Sequence, residues 1–179
     1  MYKKIAIIVA AVIVVPIVAI LGYAATKSDT MRVERSTSIK APPEKIFPMI
    51  NDFHAWTAWS PWEKMDPALK RTYSGPSSGP GAGYAGAGND QVGKGRMEIT
   101  ETSEPSKILI KLEFIEPFAG QMVTEYTLAA KGDSTEVKWA MQGSRPYIAK
   151  VMSCFIDCDK MIGKDFETGL ANMKAVAEK

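Results

Sequence analysis

Few side chains in this sequence are placed for catalysis or metal binding. His54 is the only histidine, and Cys154 and Cys158 are the only cysteines, which is a poor ligand set for zinc or haem. No Ser/His/Asp set and no pair of carboxylates stands out. A carboxylate buried in an apolar site can act as a base with a raised pKa, and the polar candidates near such a site are Asn51, Asp52, His54, Glu98 and Asp157. We predict no metal and no cofactor, and we assign no catalytic residue.

Aromatic side chains give a stronger pattern than titratable ones. Three of the four tryptophans, Trp56, Trp59 and Trp62, fall three apart within "FHAWTAWSPWEK". This spacing predicts a short 3₁₀ or helical turn with the three indoles roughly on one side. Three interpretations stay open: a plug of core packing, the wall or lid of a site for an apolar ligand, or a belt at a membrane interface.

Charge and glycine content exclude nucleotide and nucleic-acid partners. The formal net charge is +2, with the two signs interspersed, so no nucleic-acid partner is indicated. The glycine-rich stretch 74–95 contains G-x-G-x-x-G and most of a P-loop. However, no helix pattern follows the first motif, and Gly95 stands where the second needs Ser or Thr. We therefore predict a flexible hairpin in this stretch.

The N-terminus carries the strongest single signal. Residues 5–25 contain no charged residue, and a helix of that length spans roughly 30 Å of hydrocarbon. Lys3 and Lys4 precede the run and only Lys27 closely follows it, which predicts a cytoplasmic N-terminus and an outer, extracytoplasmic location for the rest. We favour a membrane anchor over residues 1–27. The alternative is a cleaved signal peptide with a weak small-residue site at Gly22 and Ala24.

Residues 28–179 are predicted to form one α+β domain. Residues 31–39 alternate as a strand, residues 41–52 suit a short helix, and four runs between residues 95 and 143 alternate as an antiparallel meander. From about Pro146 to Glu178 the apolar residues recur at threes and fours, which predicts one long amphipathic helix that includes both cysteines as buried small side chains. That helix needs a broad apolar surface, and the inner face of the meander supplies it.

A sheet curved around one helix often leaves an apolar space between them. The predicted lining of this space combines the tryptophan segment, the inner strand residues and the start of the long helix. It consists of Trp56, Trp59, Trp62, Tyr84, Met97, Ile99, Ile110, Leu112, Phe114, Tyr126, Trp139, Met141, Met152 and Phe155. An ordinary packed core is the competing interpretation for these residues.

Several ordered motifs carry a family resemblance. "IKAPPEKIF", "INDFHAWTAWSPW", "YSGPSSGPGAGYAGAGN", "VGKGRMEI", "LEFIEPF" and "IGKDFETGLANMK" together resemble the SRPBCC superfamily, which includes START lipid-transfer domains, and specifically its bacterial polyketide cyclase/dehydrase-like branch. The resemblance covers residues 32–177 and implies a helix-grip fold with a hydrophobic cavity. In this branch we expect another aromatic residue after Tyr84, where the chain instead has "AGA".

Three functions remain open from the sequence. The first is membrane-anchored binding or transfer of a hydrophobic small molecule such as a lipid, a quinone or a polyketide-like compound. The second is a cyclase or dehydratase acting on an aromatic or polyketide-like substrate. The third is a protein-interaction domain with a collapsed cavity. Fold alone does not choose among them, and the sequence does not specify an oligomeric state.

Overall fold

A computed structural model describes residues 2–117 and 119–179, and the side chains of residues 2 and 5–11 lie outside the described set. The helices are α1 (Tyr2–Thr26), α2 (Pro43–Asn51), α3 (Pro61–Met65), α4 (Tyr147–Met152) and α5 (Cys158–Ala177), with a 3₁₀ turn over Phe53–Ala58. The strands are β1 (Thr30–Ile39), β2 (Lys70–Ser74), β3 (Gly83–Ala87), β4 (Lys94–Ser103), β5 (Lys107–Glu116), β6 (Gly120–Lys131) and β7 (Ser134–Ser144).

The strands form a curved seven-stranded sheet in the order β1-β7-β6-β5-β4-β3-β2, and each pair from β2 to β7 is antiparallel. The predicted strand at residues 31–39 and the four-stranded meander are confirmed, because period-two alternation gives each strand one apolar face. The glycine-rich stretch contributes β3 and the turn before it, as the hairpin prediction required.

Helix α5 packs across the inner face of the sheet, which gives the α+β helix-grip arrangement that the sequence predicts. Its buried residues include Phe166, Leu170 and Met173. Gly169 allows a close approach to the aromatic core, since a β-carbon at that position would lie 2.8 Å from Trp139 Cζ3 and 3.1 Å from Pro61 Cδ. Arg35 on β1 adds a polar tie to the helix through ion pairs with Asp159 at 3.0 Å and Glu167 at 2.8 Å.

The prediction of one helix over 146–178 is wrong. Helix α4 ends at Met152, α5 begins at Cys158, and the residues between them form turns and extended backbone. Ser153 caps the end of α4, and Asp157 directly precedes α5, where an aspartate is a favoured cap. Cys154 and Cys158, both free and half-buried, do not share one helix: Cys154 lies in the turn after α4, and Cys158 is the first residue of α5.

The chain divides into two compact units, Met1–Met31 with Ser144–Cys158, and Arg32–Gly143 with Asp159–Lys179. The first unit contains α1 and α4, and the second contains most of the sheet and α5. Among the residues whose placement the structure describes, no helix is long and apolar enough to cross a membrane. The anchor predicted over residues 1–27 falls partly outside that set, at residue 1 and at the side chains of residues 2 and 5–11, and it stays a prediction, as does the boundary between residues 27 and 28.

Candidate functional site

The tryptophan segment lies against the inner face of the sheet. The predicted 3₁₀ turn places Trp56, which is 4% exposed, and Trp59, which is fully buried, with their ring centroids 4.7 Å apart. Their indole nitrogens donate to the carbonyl oxygens of Ile50 at 3.0 Å and Met49 at 2.8 Å. These bonds fix both rings to the end of α2, and the neighbouring Trp62 is half-buried.

Aromatic rings fill the space between the sheet and α5 around Trp139. The Trp139 ring lies parallel to that of Phe166, with centroids 4.0 Å apart and an interplanar angle of 8°. On its other sides it contacts Tyr126 at 5.0 Å, Trp59 at 5.8 Å and Trp62 at 5.7 Å. In this region the tryptophans therefore serve as core packing, the first of the three interpretations of their spacing.

Among the residues that the structure describes, two buried polar atoms of this aromatic layer have no hydrogen-bond partner: Tyr126 Oη and Trp139 Nε1. Tyr126 is fully buried, and burial raises the pKa of its phenol well above the usual value. Buried polar groups in folded proteins are nearly always paired, so two adjacent exceptions call for an explanation. The sequence gives no sign of them, because both residues read only as inward-facing aromatics.

Burial falls off steeply along the inner face of the sheet. On β5, Ile110 is fully buried, Leu112 is half-buried and Phe114 is 37% exposed. These three side chains point to the same face, because alternate residues of a strand do. The neighbouring strands show the same gradient, since Ile99 is fully buried and Met97 is half-buried.

The less buried end of this face forms a continuous apolar surface, which we call the open trough. Register pairs Tyr84 with Met97, Met97 with Leu112, and Leu112 with Met122, so a row of side chains runs across four strands. The Met122 thioether lies where a β-carbon on residue 143 would be, in the space that Gly143 leaves empty. The trough is lined by Tyr84, Met97, Leu112, Phe114 and Met122.

A polar cluster lies at one edge of the open trough. Glu63, whose side chain is 6% exposed, forms an ion pair with Arg71 and accepts a hydrogen bond from Tyr84 Oη at 3.1 Å. Burial and the Glu63 carboxylate raise the pKa of Tyr84, and the hydrogen bond to Glu63 raises the pKa of Arg71. Sequence reasoning missed Glu63 and Arg71, because their proximity to Tyr84 depends on the pairing of β2 with β3 and not on any local spacing.

The polar residues named as candidate acids or bases do not come together. His54 Nδ1 lies 2.7 Å from Asp52 Oδ1, and both side chains are more than a third exposed. Glu98 is exposed on the outer face of β4, and Asp157 is exposed in the link before α5. The amide oxygen of Asn51 is buried and has no hydrogen-bond partner within the described part of the chain.

The predicted cavity lining is distributed unevenly. Ile99, Ile110, Tyr126, Trp139 and Met141 are at most 3% exposed and belong to the packed region. Tyr84, Met97, Leu112 and Phe114 line the open trough. Met152 and Phe155 belong to the other unit, where Met152 is half-buried and Phe155 is 71% exposed.

Two surface cavities are present in the described part of the chain, one away from the open trough and one at its edge. One of about 580 Å³ opens where the start of α2 meets the β4–β5 and β6–β7 turns, and its lining includes Pro43, Pro105 and Gly132. The other, of about 320 Å³, lies beside outer-face charges on β4 and β5, including Arg96, Glu98 and Lys111, although Tyr84 and Met97 also border it. Neither is lined by any of the tryptophans.

Comparison with known protein families identifies the family of this chain. The family described as "Polyketide cyclase / dehydrase and lipid transport" matches residues 30–178. The chain belongs to this family. The SRPBCC resemblance predicted from the motifs is thereby confirmed, and the match spans the whole sheet and α5.

Solved structures share the fold of this polyketide cyclase and lipid-transport family member at low sequence identity. A protein from Chromobacterium violaceum is 17% identical with a TM-score of 0.59, covering 84% of this chain and 98% of its own. A protein from Mycobacterium smegmatis is 19% identical with a TM-score of 0.58, covering 84% and 92%.

Major latex-like protein 151 from Panax ginseng is 12% identical with a TM-score of 0.59, covering 85% of this chain and all of its own. A comparison with proteins of curated function finds no match. At these identities the likeness establishes the fold alone.

Proposed function

We propose that this protein is a membrane-anchored module that binds a hydrophobic small molecule in the open trough. The single observation that carries the proposal is the burial gradient from Ile110 to Leu112 to Phe114. A core that served only to stabilise the fold would cover this face to its end, because each large apolar side chain gains about 1.5–3 kcal/mol from full burial. The family description, which includes lipid transport, fits an apolar ligand on this face.

The chemistry of the trough favours a ligand with a long or flat apolar body. Met97 and Met122 are unbranched and flexible, and such side chains adapt to apolar partners of varied shape. The Glu63–Arg71–Tyr84 cluster marks one edge as polar, so a ligand with one polar end would be oriented by it. A lipid, a quinone or a polyketide-like molecule meets this description.

Anchoring at a bilayer suits a ligand that partitions into it. Residues 5–25 carry no charge, and the described side chains of α1 from Val12 to Val18 are exposed. Lys3 and Lys4 at the start favour a cytoplasmic N-terminus. In this proposal residues 28–179 lie on the outer side of the membrane.

An enzyme of the cyclase or dehydratase type is the second candidate, and Glu63 is the observation that favours it. This carboxylate is almost fully buried at the trough edge and accepts a hydrogen bond from Tyr84, so it could act as a base that takes the phenol proton while the phenol oxygen takes a proton from a substrate. Its ion pair with Arg71 argues for a structural role. Recovery of one unchanged ligand supports binding, whereas turnover that Glu63→Gln abolishes supports the enzyme.

Photo-crosslinking tests the site directly. Full-length protein in lipid nanodiscs is irradiated with a diazirine-bearing fatty acid, and the labelled peptides are mapped by mass spectrometry. We expect label on the β4–β5 peptides, and we expect Phe114→Ser to reduce it about tenfold, since the lost contact is worth about 1.4 kcal/mol or more.

Val123→Ser is the matched control for that experiment. Val123 lies on β6 and is 42% exposed, close to the 37% of Phe114, but it pairs with Lys111 and points to the face opposite that of Leu112 and Met122. The control variant should label like the natural sequence. Equal loss in both variants, or no label on β4 and β5 in any of them, would reject the trough as the site.

A further inference from the structure

A short segment of the first unit is fastened to the C-terminal end of α1. Tyr147 Oη donates to the Leu21 carbonyl oxygen at 2.8 Å, and Lys27 Nζ donates to the Ser153 carbonyl oxygen at 2.7 Å. Lys150 Nζ lies 2.6 Å from Asp29 Oδ1. Three contacts, at Tyr147, Lys150 and Ser153, therefore hold the segment 147–156 beside the C-terminal end of α1.

In this segment the lysine is buried and the large apolar side chains are exposed, which is the opposite of the usual pattern on a surface that faces water. The Lys150 side chain is only 8% exposed, although lysine is almost never buried unless it is paired. In contrast, Ile148 is 67% exposed, Phe155 is 71% exposed and Ile156 is 43% exposed. Its buried lysine pairs with Asp29, whose side chain is 92% exposed, while its largest apolar side chains are exposed.

The exposed apolar surface continues onto α1. Leu21, whose carbonyl oxygen accepts the Tyr147 bond, is 40% exposed, and Val18, about one helical turn before it, is 60% exposed. Tyr23, 62% exposed, lies under the Lys27 ammonium at 5.2 Å. Tyrosine and lysine at the end of an apolar helix are typical of the boundary between acyl chains and water.

We propose that residues 147–156 lie in the interface of the bilayer that holds α1, with Ile148, Phe155 and Ile156 inserted among the acyl chains. The occupant of this surface is phospholipid, because the surface is continuous with that of a helix whose exposed side chains are apolar. This inference rests on the proposed anchoring by α1. It adds a second, shallow membrane contact at a depth of about 5–10 Å, as amphipathic interfacial segments have.

Depth-dependent quenching in vesicles tests the inference. Full-length protein with Cys154→Ser and Cys158→Ser receives one new cysteine, Ile148→Cys or Phe155→Cys, and an environment-sensitive fluorophore. Each labelled protein is reconstituted into phosphatidylcholine and phosphatidylglycerol vesicles that carry nitroxide on the lipid at shallow or deep positions. Val14→Cys reports on the anchor, and Asp133→Cys, whose position is an exposed turn between β6 and β7, serves as the reference.

We expect shallow nitroxide, about 5–10 Å below the headgroups, to quench the labels at 148 and 155 at least twofold relative to Asp133→Cys. The deep nitroxide should quench Val14→Cys most. Quenching at Val14 without quenching at 148 and 155 overturns this inference and leaves the anchor intact. Quenching at 148 and 155 without quenching at Val14 rejects the anchor and, with it, the inference that the segment lies beside a membrane-spanning α1.

Three other outcomes overturn the inference. Labels at 148 and 155 that shift to the blue but resist lipid quenching show that the segment is covered by protein. Equal quenching at Asp133 shows that the contact is not specific to the segment. Absence of quenching at every position rejects both the segment and the anchor. Circular dichroism and thermal unfolding of each labelled protein establish that it is folded.

Discussion

At the scale of single residues, the unpartnered hydroxyl of Tyr126 makes a specific prediction about stability. Because Tyr126 Oη has no partner, Tyr126→Phe should leave the free energy of unfolding unchanged or raise it by up to about 1 kcal/mol at neutral pH. Tyr84→Phe is the matched control, since its hydroxyl donates to Glu63, and it should lower stability by about 1 kcal/mol. Denaturant titration measures both. A loss of more than about 2 kcal/mol in Tyr126→Phe would show that a bound partner satisfies this hydroxyl.

The same residue predicts how stability responds to alkali. The pKa of Tyr126 is raised in the folded protein, so above about pH 10 the unfolded chain releases a proton that the folded chain retains. Its contribution is therefore present below pH 10 and is lost as the pH rises, at up to about 1.4 kcal/mol per pH unit. The unfolding free energy of Tyr126→Phe should fall less steeply between pH 10 and 11. Identical slopes in the two proteins would contradict the burial of this phenol.

The Glu63–Arg71 pair predicts a second residue-scale effect. Glu63→Gln leaves the Arg71 guanidinium, whose side chain is 29% exposed, without its counter-charge, and we expect the free energy of unfolding to fall by about 2 kcal/mol. Glu113→Gln is the comparison, because its pair with Arg96 lies on the outer face with Arg96 65% exposed. That variant should lose less than about 1 kcal/mol. Equal losses of unfolding free energy in the two variants would show that the Glu63–Arg71 ion pair stabilises the fold no more than an exposed surface pair does.

At the scale of elements, the contact between α5 and Trp139 depends on a glycine. Gly169→Val places a branched side chain 2.8 Å from Trp139 Cζ3 and should cost about 2–3 kcal/mol through overpacking and lower helix propensity. Thr168→Val, at the exposed neighbouring position, keeps a β-branched residue and should change stability by about 0.5 kcal/mol or less. Thermal unfolding distinguishes them. A tolerated Gly169→Val would indicate that α5 can move away from Trp139.

The elements also show where sequence patterns are sufficient and where they fail. Alternation predicted β1 and the meander correctly, because each strand buries one face. The prediction of a single C-terminal helix failed because it was based on apolar spacing, which continues through Ser153–Asp157 without interruption. The break between α4 and α5 is set by capping residues, which do not alter that spacing. Ile148 and Phe155 fitted the helical stripe, yet both are largely exposed.

The candidate site divides in the same way. Inward-facing residues such as Ile110 and Phe114 follow from the period of β5, but the loss of burial between them depends on where α5 and the tryptophan segment end across the sheet. The Glu63–Arg71–Tyr84 cluster joins residues from α3, β2 and β3, so only the folded chain brings them together. The pattern of a single sequence predicts on which face of a strand a side chain lies. It does not predict whether a neighbouring helix or loop buries that side chain.

At the scale of the whole molecule, α1 predicts how the protein behaves in cells. The full chain should remain with membranes after alkaline carbonate extraction and should keep its N-terminal residues, as intact mass would show. Lysine at both Val14 and Val18 should release it, since each charge near the centre of a span costs about 2.5–3.5 kcal/mol. Release of the natural sequence, or a mature N-terminus near residue 25, would instead indicate a cleaved signal peptide.

Occupancy of the open trough is the central claim, and native mass spectrometry of the full-length protein released from nanodiscs tests it most directly. We predict a stoichiometric apolar adduct on the natural sequence and on Val123→Ser, identifiable after solvent extraction, and its loss from Phe114→Ser. A protein that runs at the 19.5 kDa of its sequence alone under conditions that preserve its fold, or an adduct that Phe114→Ser retains in full, would contradict ligand binding in the trough.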